Sequence, residues 1–201
     1  MAIKRGATSV VVRGAWNPAI ISPSWLLQYK VVEGSPTNLR IMVTTGGNRV
    51  AFDFDKVKWT VDASRLEIKA QEFVDCGSYA ARLLGLLPHT PIRAIGTTFT
   101  FMCPVGEWPQ AELPNLGDIR LTPQPKYADL RQIQWSCVRA LSEITRLQMS
   151  VTQLREKDVL VALNFHRNIT EASAAAEYAA GWSEDAGVAV TVLRDMFGIE
   201  L

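Results

Sequence analysis

Cysteine is scarce in this chain of 201 residues: Cys76, Cys103 and Cys137 are three in number and widely spaced. An odd, unpaired set of that kind fits neither a disulfide framework nor a zinc site, and predicts buried, reduced thiols in a reducing compartment. Histidine is scarcer still. His89 and His166 show no HxxxH or HxH spacing, so a histidine metal centre is not expected. Long apolar runs are missing as well, because Lys, Arg, Asp or Glu recurs in every hydrophobic segment and no window approaches the roughly 20 apolar residues a membrane helix needs. The basic start Met1 to Arg5 is followed by Ala7 to Val12, a run too short and too polar for a signal peptide, so a soluble cytoplasmic protein is expected. Charge of one sign is lacking too: 21 basic residues against 20 acidic leave a net charge of +1, and any polyanion surface has to be a local patch. No Gly-x-Ser-x-Gly elbow occurs, and Gly46-Gly47 leads into a strand rather than a helix N-terminus, which removes the nucleophile and phosphate-loop readings.

What is present is 48% apolar residues in a pattern of short alternating segments, enough for one core and predicting a single α+β domain over 1–201. Residues 8–13 and 25–32 read as strands separated by Asn17-Pro18 and Ser22-Pro23. Leu39 to Thr45 and Arg49 to Phe54 flank Gly46-Gly47-Asn48 and predict a β-hairpin. The apolar alternation changes phase between Phe52/Phe54 and Val57/Trp59/Val61, which requires a bulge or tight turn at Asp55-Lys56. Leu66/Ile68/Ala70 then complete a second hairpin. From Phe73 the spacing becomes three and four through Cys76, Ala80, Leu83, Leu84 and Leu87, a helix that Pro88 ends. Ile92 to Met102 is a strand, and Pro104, Pro109, Pro114, Pro123 and Pro125 mark a long connection over 103–125. A third hairpin pairs Ile144 to Leu154 with Val159 to Phe165, and two helices follow, one after Thr170 and one after Ser183 ending before Gly198. The expected architecture is an antiparallel sheet built from hairpins with three helices on one side. Hairpin then helix occurs at 57–87 and again at 144–182, an echo that suggests an internal duplication.

The segment Leu83-Leu84-Gly85-Leu86-Leu87-Pro88-His89-Thr90-Pro91-Ile92, continuing into Ile95-Gly96-Thr97-Thr98-Phe99, resembles a sporadically distributed family of uncharacterised bacterial and phage proteins. Leu163-Asn164-Phe165-His166 adds to the likeness, which covers about a third of the chain. The resemblance implies an intracellular α+β protein. It carries over no activity and no catalytic residue.

Asp53 and Asp55 form an Asp-x-Asp that could flank Mg²⁺, but opposite Phe52 and Phe54 they are better read as the solvent side of a half-buried strand, and no metal or cofactor is expected. His89, between Pro88 and Thr90-Pro91 at a helix C-terminus, is the candidate acid/base, with Asp75 or Glu72 as its carboxylate. His166 reads as a hydrogen-bonding residue at the end of a strand. Arg131, Trp135 and Arg139, with Arg146, Arg155 and Lys157 beyond them, would make a basic face with an aromatic platform for nucleic acid, though Glu143, Glu156 and Asp158 dilute it. Six tryptophans are the feature hardest to absorb into one core, and Trp108 and Trp16, beside prolines, are the candidates for a partner surface. The function expected is a non-catalytic interaction protein, pairing with itself or another protein. A small enzyme at His89 and a nucleic-acid module at 131–157 are the alternatives.

Overall fold

The computed structural model describes residues 3–44, 47–104, 134–154 and 158–198. Its elements run β1 (Lys4–Gly14), α1 (Pro23–Gln28), β2 (Pro36–Thr44), β3 (Gly47–Phe54), β4 (Val57–Val61), β5 (Arg65–Ala70), α2 (Cys76–Leu86), β6 (Ile92–Pro104), β7 (Gln134–Ala140), β8 (Thr145–Leu154), β9 (Asp158–Asn168), α3 (Ala172–Ala180) and α4 (Trp182–Phe197). This is the α+β fold, with strands and helices segregated in sequence. The nine strands form one sheet in the order β2-β3-β4-β5-β1-β6-β9-β8-β7, with every neighbouring pair antiparallel. The two longest-range partners, β1 and β6, join two half-sheets. Each half opens on a long strand, meanders outward and back to pair with that strand, and ends in a helix, α2 or α3.

Residues directly opposite on paired strands share a face. The row Ile41–Val50–Val61–Leu66–Val12–Ile95–Arg167–Thr145 therefore runs across eight strands on one side of the sheet. That side carries the core. Val61, Leu66, Val12 and Ile95 are fully buried under the helix layer, where α2 packs on β1 and β5 and where α3 and α4 pack on β6. Aromatic rings bind the layers: Trp182 of α4 lies 5.2 Å from Phe99 and 5.3 Å from Phe73, centroid to centroid, and Trp59 meets Tyr79 of α2 at 6.1 Å.

The row's one buried charge is matched by design of the helix above it. Arg167 Nη1 and Nη2 donate to the two carboxylate oxygens of Asp185 on α4 at 2.8 and 2.6 Å, Nε donates to Thr145 Oγ1 at 3.1 Å, and the guanidinium lies 4.8 Å from the Tyr178 ring centroid. Asp185 lies in the first turn of α4, where the helix dipole favours an anion, and it is buried.

Four helices occur among the described residues, not three. Residues 25–32 are no strand: Ser22 caps α1 by accepting the Trp25 N–H, and Pro23 sits at the first helical position, where its missing N–H costs nothing. The phase change at Asp55-Lys56 is a two-residue turn that sets Phe54 opposite Val57, with Asp55 in the left-handed region at φ 50°. Asp55 thus leaves the strand face that Asp53 occupies. α3 begins after Glu171 rather than Thr170, and Gly181 alone separates it from α4. Gly198, left-handed at φ 63°, closes α4 as its C-cap. The turn of the β2–β3 hairpin and most of 103–125 lie outside the described residues. No helix among the described residues is long and apolar enough to cross a membrane.

Candidate functional site

His89 is exposed in the loop that follows α2, on the rim of a cleft of about 350 Å³ walled by Trp16, Ile20, Ile21, Leu86 and Leu87. Among the described residues no carboxylate lines the cleft. Asp75 caps the other end of α2, about 16 Å away at 1.5 Å per residue, where it accepts hydrogen bonds from the Ser78 N–H and hydroxyl. Glu72 is committed to Lys56 at 2.7 Å, an ion pair and hydrogen bond that raise the Lys56 ammonium above its ordinary pKa. Neither of the two carboxylates expected for His89 therefore stands beside it.

The other sequence candidates disperse in the same way. Asp53 Oδ2 accepts from Asn38 Nδ2 at 2.9 Å on the sheet surface, and Asp55 sits in the turn. His166 lies on β9 with Nε2 3.1 Å from Asn168 Oδ1, the hydrogen-bonding role expected for it. Among the described residues no three His, Cys, Asp or Glu side chains gather where a metal would bind. Cys76 is fully buried against Thr8, and burial pushes its thiol pKa up, so it stays protonated and inert as a nucleophile at neutral pH. Cys103 is buried as well, donating to the Pro104 carbonyl.

Trp16 is 6% exposed, with its Nε1–H on the Val12 carbonyl at 3.1 Å, so its ring packs inside the fold instead of standing ready for a partner. Trp108 and Arg131 lie outside the described residues. Trp135 and Arg139 belong to β7, a strand the sequence reading did not separate from its surroundings, and stand opposite Val151 and Leu147 of β8.

The feature that sequence reading missed is the free edge of the sheet at β2. Ile41 and Val43 are 66% and 80% exposed, and Leu39 and Met42 are exposed beside them. The hairpin was legible, but not that β2 would be its outer strand, beyond the reach of the helix layer. The run Leu39-Arg40-Ile41-Met42-Val43 carries apolar residues at both parities, which is the available signal, since a strand with one solvated face alternates.

The chain matches no family model and no curated protein. Of the residues that carry the resemblance noted above, Gly96 to Phe99 of β6 pair with Leu163 to His166 of β9.

Proposed function

We propose that this is a non-catalytic protein that self-associates edge to edge through β2. The observation that carries the reading is the apolar, uncovered edge strand. An edge presents a row of unpaired N–H and C=O groups, and proteins that stay monomeric blunt such edges with charge, proline or bulges. Here a bulge between Thr37 and Arg40 and the proline at position 36 blunt one end, while Arg40 is the lone charge on the regular stretch to Thr44. That stretch is self-complementary. In a twofold antiparallel pairing centred on Ile41, Ile41 meets Ile41, Leu39 meets Val43 and Arg40 meets Met42, so no charge faces a like charge and the apolar side chains cover one another.

The protonated, buried thiol of Cys76 suits a reducing, cytoplasmic setting. The recurrence of meander and helix in the two half-sheets, ending in 57–87 and 144–182, supports reading them as copies of one unit.

Sedimentation velocity over a wide concentration range tests the proposal. The wild-type chain should be dimeric, and Ile41→Lys/Val43→Lys should be monomeric with an unchanged melting temperature, because both side chains are exposed within one copy. A wild-type monomer at high micromolar concentration would refute self-association. An unperturbed dimer in the β2 variant that is lost in Trp108→Ala would move the interface to 103–125.

A further inference from the structure

The face of the sheet opposite the helices holds a charge asymmetry that the total of +1 conceals. Two rows define it. One runs Arg40–Ala51–Thr60–Glu67–Val11–Gly96–His166–Arg146 and the other Asp53–Lys58–Lys69–Ser9–Thr98–Asn164–Gln148, with Arg65 and Arg13 paired beside them. These rows thus carry Arg13, Arg40, Lys58, Arg65, Lys69 and Arg146 against Asp53 and Glu67, and beyond them the face adds Lys4, Asp158 and Arg49, the last paired with Asp62 at 3.2 Å. Glu67 takes Arg65 at 3.1 Å and Asp53 takes the Asn38 amide. Arg13, Arg40, Lys58, Lys69 and Arg146 have no carboxylate partner among the described residues.

Two of the cross-strand pairs set like charges directly opposite: Arg13 faces Arg65 and Lys58 faces Lys69. Such pairs oppose sheet formation, and a bound polyanion relieves both. Between the arginines and His166 lies a trough of about 350 Å³ floored by Ala94 and Gly96, with Ser9, Thr98 and Asn164 on its sides and with Glu67, whose carboxylate is held by Arg65 at 3.1 Å, also in its lining. Those side chains offer donors at the spacing of the strands, about 4.8 Å, to oxygens that enter the trough.

We propose that this open face binds the phosphodiester backbone of a nucleic-acid duplex, with the trough over Gly96 receiving a phosphate. The partner's class follows from what the face carries and omits. Unpaired basic residues with interspersed Ser, Thr, Asn and Gln match phosphate and sugar oxygens. The aromatic rings that pack in the described fold lie on the helix side, so the face offers no described platform for stacking unpaired bases. A membrane-docking face would join its basic residues to a cluster of apolar anchors. Among the described side chains on the strands of this face, the exposed large apolar ones are Met42 and Met102, on β2 and β6, five strands apart. The trough lies apart from the β2 edge, which shares Arg40 and Met42 with this face, and the site differs from the 131–157 stretch expected from sequence except at Arg146.

Fluorescence anisotropy of the full chain with a labelled random duplex of about 20 base pairs tests this, because phosphate contacts give a linear loss of log affinity with log salt, about 0.9 per contact. Binding should be clear at about 50 mM salt and fall on the order of a hundredfold by about 200 mM. Arg13→Ala/Lys69→Ala should weaken it about tenfold or more and lower the slope by about two, whereas Arg82→Ala, an exposed arginine on α2, should leave both unchanged. Absence of duplex binding at low salt overturns the proposal, as does equal loss from Arg82→Ala or wild-type affinity in a folded Arg13→Ala/Lys69→Ala. Binding to phosphatidylserine vesicles without binding to the duplex overturns it in favour of a membrane surface.

Discussion

Ile41 and Arg167 stand on the same face of the same sheet, in one row, and their burial is the reverse of their polarity. The isoleucine is 66% exposed and the arginine 7%. Where each sits relative to the helices accounts for it. α4 brings Asp185 down onto the guanidinium, so the sheet at β9 is covered within the chain and can bury a charge because the charge is doubly bonded. No described helix extends over β2, and side chains that would be core anywhere else in the row meet solvent. Burial in this fold follows the helix layer, and the margin left outside it at β2 is the one through which we have proposed that copies pair.

The covered end of the row breaks most severely by removing one member of the pair. Asp185→Ala strands Arg167 in the core and should cost about 3–5 kcal/mol in urea unfolding. Arg167→Met/Asp185→Leu, which removes both charges, should recover most of the loss. If the single and double variants are equally destabilised, the pair holds α4 by shape and not by charge.

A second contrast lies within α2. A Cβ on Gly77 would come 2.2 Å from the Ala179 carbonyl oxygen, on the backbone of α3, and 2.4 Å from Trp182 Cβ, the root of a buried side chain on α4, whereas one on Gly85 would meet nothing within 4 Å. Gly77 is therefore what lets α2 lie against α3 and the start of α4. Gly77→Ala should force the helices apart and cost about 1–3 kcal/mol, an overpacking loss. Gly85→Ala should stabilise by about 0.5 kcal/mol by removing helix-disfavouring backbone freedom. Thermal melts of the two variants moving in the same direction would show that the helix layer is not docked as closely as these distances require.

The strands that alternate cleanly were legible in the sequence, and so was α2, because burial of one face imposes a period that survives in the residues. β4 and β5 alternate between Val57/Trp59/Val61 or Leu66/Ile68/Ala70 and charged neighbours, and the predicted hairpin is the observed one. The segment after Ser22-Pro23 was misread because Trp25, Leu26 and Leu27 have strand-like bulk while the deciding signal was the cap, a serine oxygen before a proline. β7 was not set apart from the basic stretch around it. The open basic face was invisible for a different reason: its residues come from β1, β2, β4, β5 and β8, and only the register across those strands places them side by side. His89 illustrates the converse, since a distinctive local setting could not tell that Asp75 would be at the far end of the helix.

The smallest effect concerns the open face within a single copy. Lys58 and Lys69 stand directly opposite one another, both exposed, with no carboxylate partner among the described residues. Like charges in that position repel, and a cross-strand pair contributes about 0.2–1 kcal/mol in either direction, reduced here by solvent and salt. Replacing one lysine by a neutral β-former removes the repulsion and adds intrinsic strand preference, so Lys69→Thr should raise stability by a few tenths of a kcal/mol. The gain should shrink when the melts are repeated at high salt, because screening already weakens the repulsion in the wild type. On the helix-covered side the same kind of change, polar for native, would destabilise. A Lys69→Thr protein that is less stable at low salt would mean that Lys69 is satisfied within the fold, and the two faces would then differ less than their charges suggest.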